Sequence, residues 1–206
     1  MIYTSNYKNI DAKLYKVVSI SSDYGLKANY GGKCCYKLVP KYSIWELWEK
    51  NQYLTIDEIY NYYIELYYKE VLSKLKVEEV FKDLDNNILL CYGNNNDFSN
   101  RHIIAAWLEL FLDIDIPEIE NGKIVNRGKI YQEIKRILEN IIKQNINMHG
   151  FNCIRAAYLF EQSEELEEKA RKIKGPNSCV YQQEACYLRC DADEAEALYN
   201  GKKKTK

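Results

Sequence analysis

The sequence feature that most constrains the fold lies in residues 88–112, where an apolar run is followed by a polar loop and then by a helical pattern. Residues 88–92 form a continuous apolar run, which is typical of a parallel strand covered on both faces. Gly93 and three asparagines break the run with residues that favour turns. From Arg101 onward, apolar side chains recur at helical spacing, which predicts a helix with one apolar face. Such a loop between strand and helix lies at the carboxyl edge of a sheet, where open α/β folds bind ligands.

The rest of the chain favours one small α/β domain followed by a helical extension. Residues 113–119 alternate around Pro117, which predicts an outer strand because proline is confined to sheet edges. The turn at 120–123 is the predicted boundary. We therefore expect a Rossmann-like domain over residues 1–120, with a small, mainly parallel sheet flanked by helices. Residues 121–206 are expected to form a helical C-terminal extension that ends in a disordered basic tail.

Capping boxes, in which a small polar residue precedes a glutamate by three positions, predict the starts of three helices. The pairs are Ser43 with Glu46, Thr55 with Glu58, and Asp191 with Glu194. The helix after Thr55 carries tyrosines at helical spacing. We expect these tyrosines to face the core rather than to stack on bases.

Small polar side chains follow each predicted strand and begin the predicted helix. Parallel strands end at the same edge of a sheet, so these side chains are expected to converge on one ligand-binding site. The alternative, that turns and caps select such residues for structural reasons, is equally open. The residues concerned are Ser5, Asn6, Ser21, Ser22, Asn96, Ser99, Asn100, Arg101 and His102.

Arg101 is the most informative member of this set. A cation in the first turn of a helix is unfavourably placed against the helix dipole, so its presence there points to function. Together with free backbone N–H groups, Arg101 is expected to bind an anionic group, such as a nucleotide or a nucleic-acid phosphate. Ser99 or Asn100 would cap the helix. Arg101 is expected to be exposed and to contribute little to stability, and no catalytic residue is assigned.

A long connection over residues 23–42 contains lysines, tyrosines and glycines. Connections of this length in compact domains are uncommon and often functional. The segment is predicted either to cover the site as a partial lid or to form an ordinary surface loop.

Several of these motifs together resemble the domain-of-unknown-function family 488. The matching pieces are LLCY at 89–92, DFSNRH at 97–102, AWLE at 106–109, VSIS at 18–21, and YGGK and YKLVP within 30–40. That family shows Leu-Leu-Cys-Tyr-Glu, a short gap, Phe-Cys-His-Arg and then a hydrophobic helix. The resemblance covers roughly residues 1–120 and implies the family's fold, but the family has no settled activity to imply.

The chain departs from the family's pattern at the polar positions. Gly93 stands where the family has glutamate, and Ser99-Asn100 stand where it has Cys-His, so only Arg101 is retained. A Cys–His pair supplies a thiolate and a base, whereas asparagine does not titrate. His102 does not replace the missing histidine, because a shift of two residues turns it by about 200° around the helix. We therefore expect no Cys/His chemistry here.

Composition indicates a cytoplasmic protein. The net charge of −1 argues against a general polyanion-binding surface, and no apolar run has the length of a membrane span. Seven cysteines, an odd number, fit a reducing cytoplasm better than a disulfide framework. The abundance of Tyr, Asn, Lys and Ile indicates an A/T-rich genome, and we expect a bacterial or phage origin.

The C-terminal part contains a pattern that partly matches a metal site. Two pairs spaced by four residues, His149 with Cys153 and Cys186 with Cys190, resemble half-sites for zinc, with Cys179 nearby. Gly150 interrupts the first pair and no Cys-x-x-Cys motif exists, so free thiols, no metal and no cofactor are predicted.

Two functions remain open. One is a binding domain for a small anionic ligand or a nucleic-acid end. The other is an interaction module of a mobile element or phage, in which the site has decayed and the extension binds a partner or itself.

Overall fold

A computed structural model describes residues 1–50, 55–173 and 175–204. The chain divides into two compact units, Met1–Ile141 and Ile142–Lys206. The strands of the described residues are β1 (Tyr3–Asn6), β2 (Val17–Ser19), β3 (Ile88–Cys91), β4 (Glu118–Glu120) and β5 (Lys123–Val125). The α-helices are α1 (Tyr42–Lys50), α2 (Ile56–Glu70), α3 (Val77–Asp83), α4 (Asn100–Leu112), α5 (Lys129–Asn145), α6 (Ile154–Lys172) and α7 (Pro176–Lys204). Short 3₁₀ turns lie at Leu26–Ala28, Tyr36–Leu38 and Leu72–Lys74.

The first unit contains a five-stranded sheet in the order β2-β3-β1-β4-β5. Strands β2, β3, β1 and β4 run parallel, and β5 pairs antiparallel with β4. Strand β3 is buried along its whole length, as its continuous apolar run requires. The predicted α/β fold with a mainly parallel sheet flanked by helices is therefore confirmed.

The strand at Pro117 is not the outer one. Pro117 lies just before β4, and its carbonyl oxygen accepts the backbone N–H of Thr4 at 3.0 Å. A proline in that position withholds no N–H from the ladder, so β4 can lie inside the sheet. The predicted edge position is wrong, and β5 forms that edge instead.

The first unit also extends beyond residue 120, where the sequence placed the boundary. Asn121 and Gly122, with φ of 50° and 76°, form the tight turn between β4 and β5. Residues 123–125 thus form the last strand of the sheet. The predicted helical extension therefore begins only with α5. Apolar side chains of α5 from Tyr131 to Ile141 are buried, and Lys135 pairs with Glu109 of α4 at 2.6 Å.

Helix α4 is buried on nearly all sides. The predicted apolar stripe of Ile104, Trp107 and Phe111 is buried. Arg101, His102 and the residues that follow them up to Glu109 are buried as well. The segment IIAAWL is apolar around its full circumference, and such a helix belongs in a core rather than at a surface.

Helix α2 begins as predicted, with the side chain of Thr55 accepting from the N–H of Glu58 and the Glu58 carboxylate accepting from the N–H of Thr55. The buried tyrosines of α2, Tyr63 and Tyr67, confirm its core-facing stripe. Helix α1 begins at Tyr42, so the predicted cap at Ser43 is wrong, since Ser43 is already inside the helix.

The second unit contains α6 and α7. Helix α7 is continuous, and the predicted helix start at Asp191 is wrong. Arg189 pairs with Glu167 of α6 at 2.9 Å, and Ala185 and Ala192 are fully buried, so packing on both sides of this point keeps the helix intact. The lysine tail, predicted to be disordered, is helical as far as Lys204; residues 205–206 lie outside the described part.

In the described part of the chain, none of the helices combines the length and the hydrophobicity needed to cross a membrane.

Candidate functional site

A cleft of about 730 Å³ opens at the carboxyl ends of β2 and β3, beside the start of α4. Its lining is mainly apolar and aromatic, with a few polar groups, which is the usual character of a small-molecule site. The described lining residues are Ser21, Ser22, Asp23, Tyr24, Lys27, Val39, Pro40, Tyr42, Tyr63, Cys91, Tyr92, Gly93, Phe98, Ser99 and Asn100. The predicted location at this edge of the sheet therefore does contain a cleft.

Asp23 organises one wall of the cleft. Its Oδ1 accepts from the Ser21 hydroxyl and the N–H of Gly25, each at 3.0 Å. Its Oδ2 accepts from the N–H of Lys27 at 3.1 Å and the hydroxyl of Tyr92 at 2.8 Å. Burial acts to raise the pKa of Asp23, but these hydrogen bonds outweigh it and the pKa is lowered. Asp23 is thus a charged anchor whose oxygens are already engaged.

Tyr92 and Tyr7 form a second layer behind Asp23. Burial and then the bond to Asp23 raise the pKa of Tyr92 well above its ordinary value, so its hydroxyl stays a donor. The Tyr7 ring lies 4.8 Å from the Tyr92 ring, and the Tyr7 hydroxyl contacts Ser19 and Ser21 at 2.6 and 2.7 Å. Burial raises the pKa of Tyr7 to about 12, against hydrogen bonds that lower it. These contacts fix the ends of β2 and β3 relative to each other.

Arg101 is not an exposed anion ligand. Its side chain has no exposed surface, and its Nε donates to Glu118 Oε1 at 2.9 Å. The remaining nitrogens donate to the carbonyl oxygens of Tyr92 and Asn94 at 2.8 and 3.0 Å and to the Ser99 hydroxyl at 2.9 Å. The predicted exposure of Arg101 is wrong, because the surrounding helix is buried and Glu118 supplies a buried counter-charge.

His102 is also excluded from the cleft. Its ring is fully buried between α4 and α5, 3.8 Å from Glu118 Oε2 and edge-on to the Tyr131 ring. Burial, reinforced by the charges of Arg101 and Arg127, lowers the pKa of His102 to about 2. A neutral, buried imidazole of this kind does not contact a ligand in the cleft.

Three further residues that were predicted to bind the ligand make structural contacts instead. Ser5 is fully buried, and its hydroxyl donates to the carbonyl oxygen of Ile119 at 2.6 Å. Asn6 accepts two backbone N–H groups of the turn that follows β1, each at 2.9 Å. Asn96 is exposed but packs against Gly128, away from the lining of the cleft. The prediction that these three side chains converge on the ligand site is therefore wrong, and Ser5 and Asn6 lie within β1 rather than after it.

The other four predicted residues line the cleft together: Ser21, Ser22, Ser99 and Asn100. The Ser99 hydroxyl is engaged, since it donates to Tyr92 O and accepts from Arg101, and it makes no side-chain cap on α4. The Oδ1 of Asn100 accepts from the Tyr63 hydroxyl at 2.8 Å, which leaves its amide nitrogen as a donor. Ser22 is exposed at the rim.

The loop before α4 depends on a glycine. Gly93 has φ of 88°, and a side chain there would approach Cβ of Asp97 to 3.1 Å. Asp97 in turn accepts the N–H of Asn94 at 2.6 Å and closes the loop. The loop then presents Phe98, whose ring stacks on Tyr60 with centroids 4.3 Å apart. A glutamate at position 93, as in the family 488 pattern, would not fit this turn without strain.

Sequence reasoning missed most of the aromatic and charged lining. Asp23 directly follows the predicted Ser21-Ser22 pair and Tyr92 directly follows β3, so their positions alone could have indicated both. Tyr24 has φ of 58°, a strained conformation for an aromatic residue, and such strain concentrates at functional sites. No periodicity signals a positive φ, so Tyr24 could not have been identified from the pattern.

No group of three or more His, Cys, Asp or Glu side chains within the described ranges is arranged to hold a metal ion. Cys186 and Cys190 are exposed on α7, and His149 lies 3.8 Å from Glu164. The absence of a metal stays a prediction for elemental analysis.

No protein-family model matches the chain, and searches of the curated proteins and the solved structures also find no match. The resemblance to family 488 therefore stays a prediction.

Proposed function

We propose that the cleft binds a nucleotide or the terminal nucleotide of a nucleic acid. The observation that carries this proposal is the combination of flat aromatic rings with hydrogen-bond donors at the carboxyl edge of a parallel sheet.

The aromatic side of the cleft suits a planar base. Tyr24 and Tyr42 are 45% and 73% exposed, and Phe98 and Pro40 add apolar surface. Stacking of a base on such rings is favourable for every base, because each has a π-face. Asp23 holds Tyr92 in place through the hydrogen bond from the Tyr92 hydroxyl.

The donor side suits a phosphate. The first backbone N–H groups of α4, at Asn100 and Arg101, have no acceptor within the helix and coincide with the positive end of its dipole. Lys27 is the cationic side chain in the described lining, and it replaces Arg101 in the predicted role. The amide nitrogen of Asn100 and the Ser22 hydroxyl supply further donors.

Calorimetric titration with inorganic phosphate, a nucleoside and the matching nucleoside monophosphate tests the proposal. The monophosphate should bind most tightly. Lys27→Ala should weaken its binding by about 0.5–1 kcal/mol, the scale of an exposed charge contact, and should leave the nucleoside unaffected. Tyr24→Ala should weaken both.

Lys123→Ala is the matched control, since Lys123 is exposed on the opposite edge of the sheet. Equal affinity for nucleoside and monophosphate, or an equal effect of both lysine substitutions, would refute the proposal.

A second candidate function, an interaction module, is favoured by the exposed side chains of α7. Its side chains Val180, Tyr187 and Leu198 are more than half exposed, and its three cysteines, at 179, 186 and 190, are also exposed. Light scattering at increasing concentration tests self-association. A constant monomer mass for the wild type would argue against this function.

A further inference from the structure

Two hollows flank the outer edge of β2, and they share no lining residue with the cleft. One has about 510 Å³ and the other about 440 Å³, and Lys16 and Lys33 line both. Lys37 also lines the first hollow, and Lys13 also lines the second. We call these four residues the lysine track.

The positive charge of the lysine track is only partly compensated, by Asp83 beside Lys37 and by Asp85, which interacts electrostatically with Lys16. Among the described linings, Asp83 is the one carboxylate, and it already pairs with Lys37 at 2.5 Å. Lys13 and Lys33 are exposed and form no ion pair with any described residue. The net charge of −1 is an average over the chain and conceals this local excess.

The backbone beside the track is open. Gly31 lines the smaller hollow, and a Cβ added there would have no atom within 4 Å. At the next residue, Gly32, there is no room for a side chain, because its Cβ would collide with the Tyr30 ring. The Tyr30 hydroxyl donates to the carbonyl oxygen of Lys33 at 3.0 Å. The loop thus places Lys33 beside the backbone of Gly31, which no side chain covers. A phosphate can approach this backbone closely.

The track is continuous with the cleft through two tyrosines. Tyr24 lines the cleft and Tyr36 lines the larger hollow, and their ring centroids are 5.2 Å apart. Tyr36 is 70% exposed. From Tyr24 to Tyr42 the chain has four lysines and no acidic residue, with a tyrosine at every sixth position.

We infer that the lysine track binds the phosphate backbone of single-stranded nucleic acid, with bases on the exposed tyrosines and the terminal nucleotide in the cleft. Only the position of the terminal nucleotide rests on the proposed function. Alternating cationic and aromatic side chains match a strand whose phosphates and bases alternate. A duplex fits less well, because its bases are stacked on each other and offer no free face to a tyrosine.

Fluorescence anisotropy with a labelled single strand of about 12 nucleotides, within known site sizes, tests the inference. The double variant Lys13→Glu/Lys33→Glu should lower the affinity at least about tenfold at low salt. It should also reduce the slope of log Kd against log salt concentration by about 0.7 for each phosphate that the variant no longer neutralises. Lys123→Glu/Lys129→Glu changes the net charge equally at other exposed positions and should change neither quantity comparably.

Tyr36 provides an uncharged test. Tyr36→Ala should lower strand affinity at least about fivefold, whereas Tyr36→Phe, which keeps the ring face, should retain it. Should the double lysine variant fail to fold, these variants and the wild-type salt dependence still decide the question.

The outcomes separate the two proposals. Mononucleotide binding without tighter binding of the strand would overturn the track and leave the proposed function standing. Strand binding that depends on Lys33 and Tyr36, without mononucleotide binding, would support the track and refute the proposed function. Equal weakening by the control pair, or binding to vesicles of acidic phospholipid without binding to the strand, would overturn the track.

Discussion

The guanidinium of Arg101 joins three parts of the first unit that are distant in sequence. It pairs with Glu118 of β4 while it holds the carbonyl oxygens of Tyr92 and Asn94 in the loop before α4. Glu118 also accepts from the Thr4 hydroxyl of β1 at 2.6 Å. The shape of the cleft therefore depends on a residue that does not line it.

Arg101→Ala should destabilise the protein by about 3–5 kcal/mol, because it leaves the Glu118 carboxylate buried without its partner. Urea denaturation followed by circular dichroism measures the change. The double variant Arg101→Ala/Glu118→Ala should cost less than the sum of the single variants, since the two side chains are coupled. A decrease below about 1 kcal/mol for Arg101→Ala would contradict this account of the site.

The sequence predicted where the cleft lies, but it did not predict most of the residues that line it. The order of apolar run, polar loop and helix located the cleft beside Ser99 and Asn100. The sequence alone did not decide the role of Arg101, because Glu118 becomes its neighbour only when β4 packs beside β1. Local sequence also gives no sign that Ser5 turns towards Ile119 rather than towards a ligand.

Among the elements, α1 and α2 differ in how their starts are encoded. Both have a capping-box pattern near their start, yet only Thr55–Glu58 forms the two reciprocal bonds. Helix α1 starts one residue before Ser43. The capping-box pattern indicates a local preference, whereas the packing of the surrounding chain determines where the helix begins.

Thr55→Ala should therefore destabilise the protein by about 1 kcal/mol, the usual cost of losing an N-cap. Ser43→Ala should have little effect, because Ser43 occupies an interior position of α1. Thermal unfolding of both variants beside the wild type makes the comparison. A larger destabilisation by Ser43→Ala than by Thr55→Ala would reverse the assignment of the caps.

The fold was predicted best where the pattern was long and uniform. The run in β3 and the stripe of α2 were identified correctly because burial alone determines them. The positions of β4 and β5 were not, because Pro117 and the Asn121-Gly122 turn are compatible with either an edge strand or a hairpin. For α7, the preference of Asp191 for a cap is overridden by the packing of Ala185 and Ala192.

For the molecule as a whole, the buried His102 links stability to pH. Its pKa is lowered to about 2 in the folded state by burial and by Arg101 and Arg127, whereas the ordinary value is 6.5. Between these values the unfolded chain binds a proton that the folded protein does not. The stability that neutral His102 contributes is therefore complete above pH 6.5 and is lost as the pH falls below that value.

The free energy of unfolding should consequently fall by about 1.4 kcal/mol for each pH unit between about pH 6 and 5, where ordinary carboxylates are still ionised. Urea denaturation at closely spaced pH values measures the slope. His102→Leu should flatten it, and His149→Leu, which keeps His102, should not. An unchanged slope in His102→Leu would show that other groups carry the acid sensitivity.

The place of β1 in the sheet has a consequence for synthesis. Its neighbours are β3 and β4, and the contact of Thr4 with Glu118 spans 114 residues. At ribosomal rates of about 5–20 residues per second, β1 waits on the order of ten seconds before its second partner exists. Both hydrogen-bonding edges of β1 are vacant until β3 is made, and the edge that pairs with β4 stays vacant for the whole interval. Chaperone capture of the growing chain is therefore expected until β4 has left the exit tunnel.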